Sequence, residues 1–304
     1  MGLVVSRLCL AADREGRVPL LAELDFRLPP GTLTLLVGRT GSGKTSLLHA
    51  LGGLKAPVSG QVLYGNQPLW LERGRGQRIQ RRRNVEVSSR LGILLQQPEQ
   101  QLFAPTVERE LRYGLARLRL GREGEKSRME SALAQVHLDT SVLDESPFAF
   151  SGGEKRRIAL ASVLAADPDW LLLDEPSSGL DPAEAQQLIG ILAQAKAKRA
   201  ASGGMIIATH DADLFWPIVD YIVLVGGQSS ARLFTPEQLI REPERWEQAG
   251  VGIPEWVRWE AWVRGVETGA RPVSEGEPAR EWQERAAISE PTGGTGGSRL
   301  GNEV

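Results

Sequence analysis

A single cysteine, Cys9, stands in 304 residues. An internal disulfide and a multi-cysteine metal site are therefore excluded, and a reducing compartment is the plain expectation. Excess charge is missing too: 36 basic against 38 acidic side chains leave a net charge of −2. So neutral a chain lacks the general basic surface with which proteins grip nucleic acid. Its longest uncharged stretches are about half of the roughly 18–20 apolar residues that a membrane-spanning helix needs. Residues 1–10 lack a charged start followed by a long apolar run, so no signal peptide is expected. No internal repeat is visible. These absences predict a soluble, intracellular chain that does not itself cross a bilayer. What is present is material for a core, with 41% hydrophobic residues. An α/β domain commonly takes roughly 200–250 residues, so the length fits one such domain and an appendage.

Short apolar runs at 33–37, 91–95, 170–173, 205–208 and 221–225 read as strands buried on both faces. Helical patterns lie between them at 44–51, 107–118, 126–136, 154–165, 182–198 and 211–219. Asp181-Pro182 and Thr235-Pro236 each place a capping side chain before a proline at the first helical position. Such alternation predicts a mostly parallel sheet with helices around it. From about 106 to 150 the pattern is mainly helical, which suggests an inserted helical subdomain. Beyond residue 266 the chain is rich in Glu, Gly, Pro, Ser and Arg, and disorder is expected there.

Three segments carry chemistry. Gly38-Arg39-Thr40-Gly41-Ser42-Gly43-Lys44-Thr45, followed by Ser46, fits the phosphate-binding loop pattern between a predicted strand and a predicted helix. Its glycines let backbone N–H groups turn toward phosphates, and the helix start favours anions. Lys44 would reach the β- and γ-phosphates, and Thr45 would ligate Mg²⁺. Asp174 and Glu175 follow a buried strand, at the strand end where ligands bind in open α/β sheets. Asp174 could hold Mg²⁺ through water, and Glu175 could polarise an attacking water as general base. Ser151-Gly152-Gly153-Glu154 is a capping box, but its two glycines exceed what a cap needs and leave N–H groups bare for a second anion. Two phosphate-binding helix starts in one chain suggest two copies, or two relatives, gripping one triphosphate.

In their order, Gly38 to Thr45, Ser151 to Glu154, Asp174-Glu175, Gly179-Leu180-Asp181 and His210 resemble the Walker A, signature, Walker B, D-loop and H-loop of the ABC-type ATPases, and Gln96 resembles their Q-loop glutamine. The likeness runs from about residue 3 to 235. Gln96-Gln97-Pro98-Glu99-Gln100-Gln101-Leu102-Phe103, Ser146-Pro147-Phe148 and Lys155-Arg156-Arg157 are similar to the energy-coupling factor (ECF) group of importers, above all its A′ member. The resemblance implies a P-loop NTPase fold of ABC-ATPase type, α/β with a mixed sheet core, over residues 1–236. A helical subdomain would span about 97–165, a helical extension 237–266 and a tail 267–304. It implies ATP and Mg²⁺ as ligands and a head-to-tail dimer with a second ABC ATPase subunit, identical or related. Lys44 and Thr45 of one subunit would face Ser151 and Gly153 of the other. Gln96 would sense Mg²⁺ and water, His210 would hold the γ-phosphate and position Glu175, and Asp181 would contact the opposite Walker A loop. It implies no nucleic-acid partner. It does imply a transmembrane coupling subunit and a substrate-binding membrane subunit, with this chain on the cytoplasmic face of the membrane, driving uptake of a vitamin or transition-metal ion. Other ABC transporters are the nearest alternative. DNA-repair members insert coiled coils between Walker A and signature, and this interval carries no heptads; translation-type members carry two cassettes, and this chain has one.

Several positions depart from the family pattern. Glu154 stands where Gln is usual, and Phe150 where Leu is. Residues 11–18 contain no aromatic to stack on adenine. Arg14 or Arg17 is a candidate substitute, and weak selectivity for adenine is expected. Seven arginines between 73 and 90 read as a solvated loop, since the overall charge is near zero, ahead of a nucleic-acid or lipid-headgroup patch. Five of eight tryptophans lie at 246–282. Trp256, Trp259 and Trp262 cover about 120° of one helix face, expected to be a core-packing stripe, with membrane-interface contact as the second reading.

Overall fold

The computed structural model describes residues 1–13, 17–74, 80–226 and 230–265. Arg14, Arg75, Arg78, Trp282 and the tail lie outside the described residues. The strands are β1 (Leu3–Ala11), β2 (Pro19–Leu28), β3 (Leu33–Val37), β4 (Ser59–Tyr64), β5 (Gln67–Pro68), β6 (Trp70–Arg73), β7 (Gln80–Arg83), β8 (Leu91–Leu94), β9 (Trp170–Asp174), β10 (Gly204–Thr209), β11 (Tyr221–Gly226) and β12 (Ser230–Phe234). The helices are α1 (Lys44–Leu51), α2 (Val85–Ser88), α3 (Val107–Leu115), α4 (Arg122–Gln135), α5 (Gly152–Ala165), α6 (Pro182–Lys198), α7 (Ala212–Phe215), α8 (Pro236–Arg241), α9 (Glu244–Gln248) and α10 (Glu255–Val263).

The central sheet has the order β12-β11-β3-β10-β9-β8. Its strands run parallel except β12, which pairs antiparallel with β11 at the edge. Every residue of β3, β9 and β10 is buried, the signature of strands covered on both faces. A second, antiparallel sheet, β2-β1-β4-β5, closes over one face. Leu3, Leu8 and Leu28 of that sheet meet Leu47 and Leu48 of α1 and Leu36, Leu172 and Ile206 of the central sheet. On the other face, Leu35, Leu171 and Leu173 pack with Leu111, Leu133, Ile158, Leu188 and Trp246. The central sheet thus separates two cores and sets its strand ends between them.

Helix starts follow local chemistry. Asp181 and Thr235 cap α6 and α8, each with Pro182 or Pro236 in the first turn and a full capping box. The helix expected over 211–219 is shorter: α7 ends at Phe215, and Trp216–Ile218 tighten into a 3₁₀ turn. Pro217 has no N–H to donate, and its ring crowds the preceding turn. Where it is described, the arginine-rich stretch is strand and helix rather than loop. β6 and β7 pair as a hairpin, where Arg81 ion-pairs with Glu72 at 2.8 Å and donates to the carbonyls of Pro57 and Val58, each at 2.8 Å.

The tryptophan stripe follows expectation only in part: Trp256 packs against the core. The buried residues of α10 are Val257 and Ala261, Trp262 is 52% exposed, and Trp256 and Trp259 are half-buried, stacked with ring centroids 5.6 Å apart. At about 100° per residue, the centre of the Trp256/Trp259/Trp262 arc lies opposite Val257 and Ala261, so the small residues face the body. The Asp213 carboxylate fixes the start of α10, accepting from the N–H groups of Glu255 at 3.1 Å and Trp256 at 2.9 Å. Burial raises the pKa of Asp213, and those two bonds oppose the rise. Among the described residues, no helix is long and apolar enough to cross a membrane.

Candidate functional site

The sheet brings the sequence motifs to one edge. β3 delivers Gly38 to Gly43, β9 delivers Asp174 and Glu175, β10 delivers His210, and β8 leads to Gln96. Registers align these ends: Thr209 pairs with Val37, Ala208 with Asp174, and Leu173 with Leu94. These are the carboxyl ends of parallel strands, where such sheets bind ligands.

The loop from Gly38 to Gly43 is held by its neighbours. A Cβ at Gly38 would collide with the Val225 carbonyl oxygen, and Gly41 and Gly43 have φ of +80° and +102°. Lys44 is buried, and its Nζ donates to the Gly38 carbonyl at 2.8 Å. The Ser42 hydroxyl is buried and, among the described residues, has no hydrogen-bond partner. Arg39 and Thr40 are exposed, and Ser46 accepts from Lys55 at 3.3 Å. The Thr45 hydroxyl donates to Asp174 Oδ1 at 3.2 Å, joining the loop to the end of β9. Burial raises the pKa of Asp174, opposed by this hydrogen bond and by Lys44.

Glu175 sits at φ +47°, a left-handed conformation that a non-glycine residue adopts only when its surroundings hold it there. Its N–H donates to the Ala208 carbonyl at 2.8 Å, and its Oε2 lies 2.8 Å from His210 Nδ1. The Glu175 side chain is 13% exposed against 67% for His210. Gln96 is exposed at the same sheet edge, followed by Gln97 at φ +55°.

A second cluster forms where α5 and α6 begin side by side. The Ser151 hydroxyl donates to Glu154 Oε2 at 2.7 Å and accepts from the Glu154 N–H at 3.3 Å. These bonds with Ser151 hold the Glu154 carboxyl below its ordinary pKa. A Cβ at Gly153 would collide with the Glu184 carboxylate, which completes the capping box of Asp181, whereas Gly152 faces open space. Among the described residues, no hydrogen bond runs from Ser151, Gly152 or Gly153 to the Gly38–Thr45 loop. Among the described residues, the two glycine-rich helix starts of one chain are therefore separate.

Comparison with known proteins decides what this arrangement belongs to. The sequence profile of the ABC transporter family matches residues 21–178. The energy-coupling factor transporter ATP-binding protein EcfA2 of Latilactobacillus sakei is 32% identical over 235 residues, 77% of this chain and 78% of that protein. The chain belongs to the ABC transporter ATPase family. Another relative, the nickel import ATP-binding protein NikO of Rhodobacter capsulatus, is 38% identical over 208 residues, 68% of this chain and 80% of that protein. Among solved structures, cbiO1 of Clostridium perfringens, part of the ABC transporter complex cbiONQ, is similar with a TM-score of 0.66 and 25% identity, covering 82% of this chain and 94% of that one.

The chain is thus an ATP-binding, ATP-hydrolysing ABC protein, similar to ECF transporter ATPases and with the expected α/β fold. Three features of its site escaped the sequence reading. Arg156 of α5 bonds both the segment after Gln96 and the loop before Asp181. Asp213, three residues after His210, caps α10. The stretch after α9 reaches the phosphate loop: Gly250 lies against the Arg39 side chain, and an open cavity of about 390 Å³ is lined by Pro19, Leu20, Gly41, Ser42, Glu247 and Gln248. None of these contacts joins sequence neighbours, so no local pattern announces them.

Proposed function

We propose that this ABC ATPase is the ATP-hydrolysing subunit of an ECF-type importer for a vitamin or transition-metal ion. The observation that carries this reading is the pairing of Glu175 with His210 beside Thr45 and Asp174, with Ser151–Gly153 held apart in a second cluster. A phosphate loop and a signature helix that do not meet within one chain need a second subunit to complete each site. The names of the relatives, an energy-coupling factor ATPase and a nickel import ATPase, support the class of transporter.

In this reading, the backbone N–H groups from Gly38 to Gly43 and the Lys44 ammonium hold the β- and γ-phosphates, with Ser46 and Thr40 at the rim. Lys44 already turns its Nζ into the loop, so ATP replaces its bond to the Gly38 carbonyl. Thr45 and Asp174 offer hard oxygen donors 3.2 Å apart, a set that suits Mg²⁺. Bound there with Gln96, Mg²⁺ would neutralise charge on the phosphates. Glu175 takes a proton from the attacking water as general base, and His210 holds the γ-phosphate and the Glu175 carboxylate in register. Ser151, Gly152 and Gly153 of the second subunit close over the γ-phosphate, and Asp181 meets the opposing phosphate loop. Closure on ATP and reopening after hydrolysis shift a two-state equilibrium. The exposed pair Phe103 and Tyr113, in edge contact at 5.0 Å just beyond the Gln96 segment, presents an apolar face to a transmembrane coupling subunit. A substrate-binding membrane subunit selects the cargo, and this chain works at the cytoplasmic face of the membrane.

Purification of the tagged chain from detergent-solubilised membranes tests the assignment. A second ATPase subunit and two membrane proteins are expected to co-purify. Recovery of the chain free of any membrane protein would refute it.

The base is expected to enter the cavity beside Pro19, Leu20 and Gln248, where no aromatic ring is present among the described residues. Competition binding should then give ATP and GTP affinities within about threefold, since apolar contact with a base face serves every base alike and adds affinity rather than preference. A tenfold preference for ATP would contradict this expectation.

A further inference from the structure

Arg156 lies on the first turns of α5, five residues after Ser151, with a side chain only 15% exposed. One arm of its guanidinium, Nη1, donates to the Ser178 carbonyl at 2.8 Å, three residues before Asp181. The other, Nη2, reaches Glu99 Oε2 at 3.4 Å, three residues after Gln96. Its Nε is buried without a hydrogen-bond partner among the described residues. A single planar fork therefore spans the signature helix, the Gln96 loop and the Asp181 loop.

We propose that Arg156 is a positioning residue for ATP hydrolysis, coupling the Gln96 loop and the Asp181 loop to the signature helix so that the three move as one. Static packing is a poor account of it. A partly buried, incompletely bonded ion pair adds little net stability, and an apolar side chain of similar volume would fill the space as well. Two acceptors on different loops require a rigid fork, which is what a guanidinium supplies and an ammonium does not. The Gln96 loop also needs holding. Gln97 is left-handed at φ +55° directly before Pro98, where the preceding residue is normally driven to extended backbone. Such a conformation persists only where neighbours over-determine it. The Gln101 side chain, bonded to the Leu95 carbonyl at 3.3 Å, and the Gln100 N–H, bonded to the Gln97 carbonyl at 3.0 Å, restrain it locally; Glu110 of α3 accepts from the Phe103 and Ala104 N–H groups at its end, and the Glu99–Arg156 pair ties it to α5. α5 is a suitable lever, because Ile158, Leu160 and Ala161 bury it in the core. If α5 shifts as the sandwich closes, Arg156 carries Gln96 of its own site and Asp181, which faces the other site, along with it.

This inference rests on the proposed sandwich mechanism, and the experiment separates the two. Arg156→Gln, Arg156→Lys, Glu99→Gln and the double variant Glu99→Gln/Arg156→Gln are made in the full chain, purified with whatever subunits accompany it. Each is assayed for kcat, KM for ATP and Tm. Arg156→Gln should lower kcat by about tenfold with KM changed less than about twofold, the pattern of an interaction realised in the transition state. Tm should stay within about 3 °C, the shift expected for roughly 1 kcal/mol in a chain of this size. Arg156→Lys should recover part of the loss, Glu99→Gln should reproduce part of it, and the double variant should be no worse than Arg156→Gln alone, as for residues acting through one contact. Wild-type kcat in Arg156→Gln, additive losses in the double variant, or losses that follow Tm across the set would each overturn the proposal. Glu99→Gln alters an accessible loop rather than the core, so it remains informative should the Arg156 variants fold badly. Hydrolysis that survives Glu175→Gln would instead overturn the parent mechanism. Loss in Glu175→Gln with no loss in Arg156→Gln would overturn the positioning role alone.

Discussion

Glu175→Gln is expected to lower ATP turnover at least about a hundredfold while leaving ATP affinity within about twofold, because general-base catalysis contributes roughly 10²–10⁴ and the amide keeps the shape of the carboxylate. The geometry makes this a clean substitution. The Glu175 backbone is fixed at φ +47° by its N–H bond to the Ala208 carbonyl, so the side chain leaves the sheet edge at a set angle. Oε2 faces His210 Nδ1 at 2.8 Å, and a Gln amide can hold the same partner. Only basicity is lost. Asp174 and Thr45 are untouched, so the phosphate site persists. Phosphate release under saturating ATP measures the first half, and titration with a fluorescent nucleotide measures the second. Turnover within about tenfold of wild type would remove Glu175 from the role of base. A parallel loss of binding would mean that Glu175 shapes the phosphate site instead.

The parts of the candidate site legible in the sequence are those written in contiguous residues. The Gly38–Thr45 loop, Asp174-Glu175 and the Ser151–Glu154 box each occupy a few neighbouring positions, so spacing alone shows what they offer. The central strands were equally legible, because β3, β9 and β10 are continuous apolar runs. β1 and β2 were not. Arg7 and Glu23 sit at φ +44° and +52°, and the β1–β2 register shifts along its length, so inward and outward positions lose their strict alternation. In α10, periodicity found a face but not its direction. Three tryptophans form the obvious stripe, yet Val257 and Ala261 opposite them permit the closer approach to the body and are fully buried. Arg156–Glu99 and Asp213–Glu255 are 57 and 42 residues apart in the chain, and a lone Arg or Asp on a helix carries no mark of such a partner. The sequence thus disclosed the groups proposed to meet ATP, while the contacts that would relay its effects emerge only from the tertiary fold.

Gly38→Ala is expected to be as damaging as loss of the base, for a purely steric reason. The added Cβ would be driven into the Val225 carbonyl oxygen and against the Ser42 hydroxyl. The first is backbone of β11, paired to β3 through Leu224 and Val37, and cannot rotate away as a side chain would. Relief requires either β11 or the phosphate loop to move. Overpacking of this kind costs about 1–3 kcal/mol or more, and at about 2–4 °C per kcal/mol Tm should fall by at least about 3 °C. A displaced loop also loses its cradle of N–H groups and the seat of Lys44, whose Nζ rests on the Gly38 carbonyl. Nucleotide affinity should therefore drop at least about tenfold, since hydrogen bonds to charged groups are worth roughly 1.5–3 kcal/mol each. Gly41→Ala is the control. A Cβ at Gly41 meets nothing within 4 Å, so its cost is confined to a left-handed φ of +80°, about 1–2 kcal/mol. Thermal unfolding should rank Gly38→Ala below Gly41→Ala, with wild type highest. Were the two variants equally stable, crowding by β11 would not be what reserves position 38 for glycine, and the demand would have to come from the bound phosphates alone.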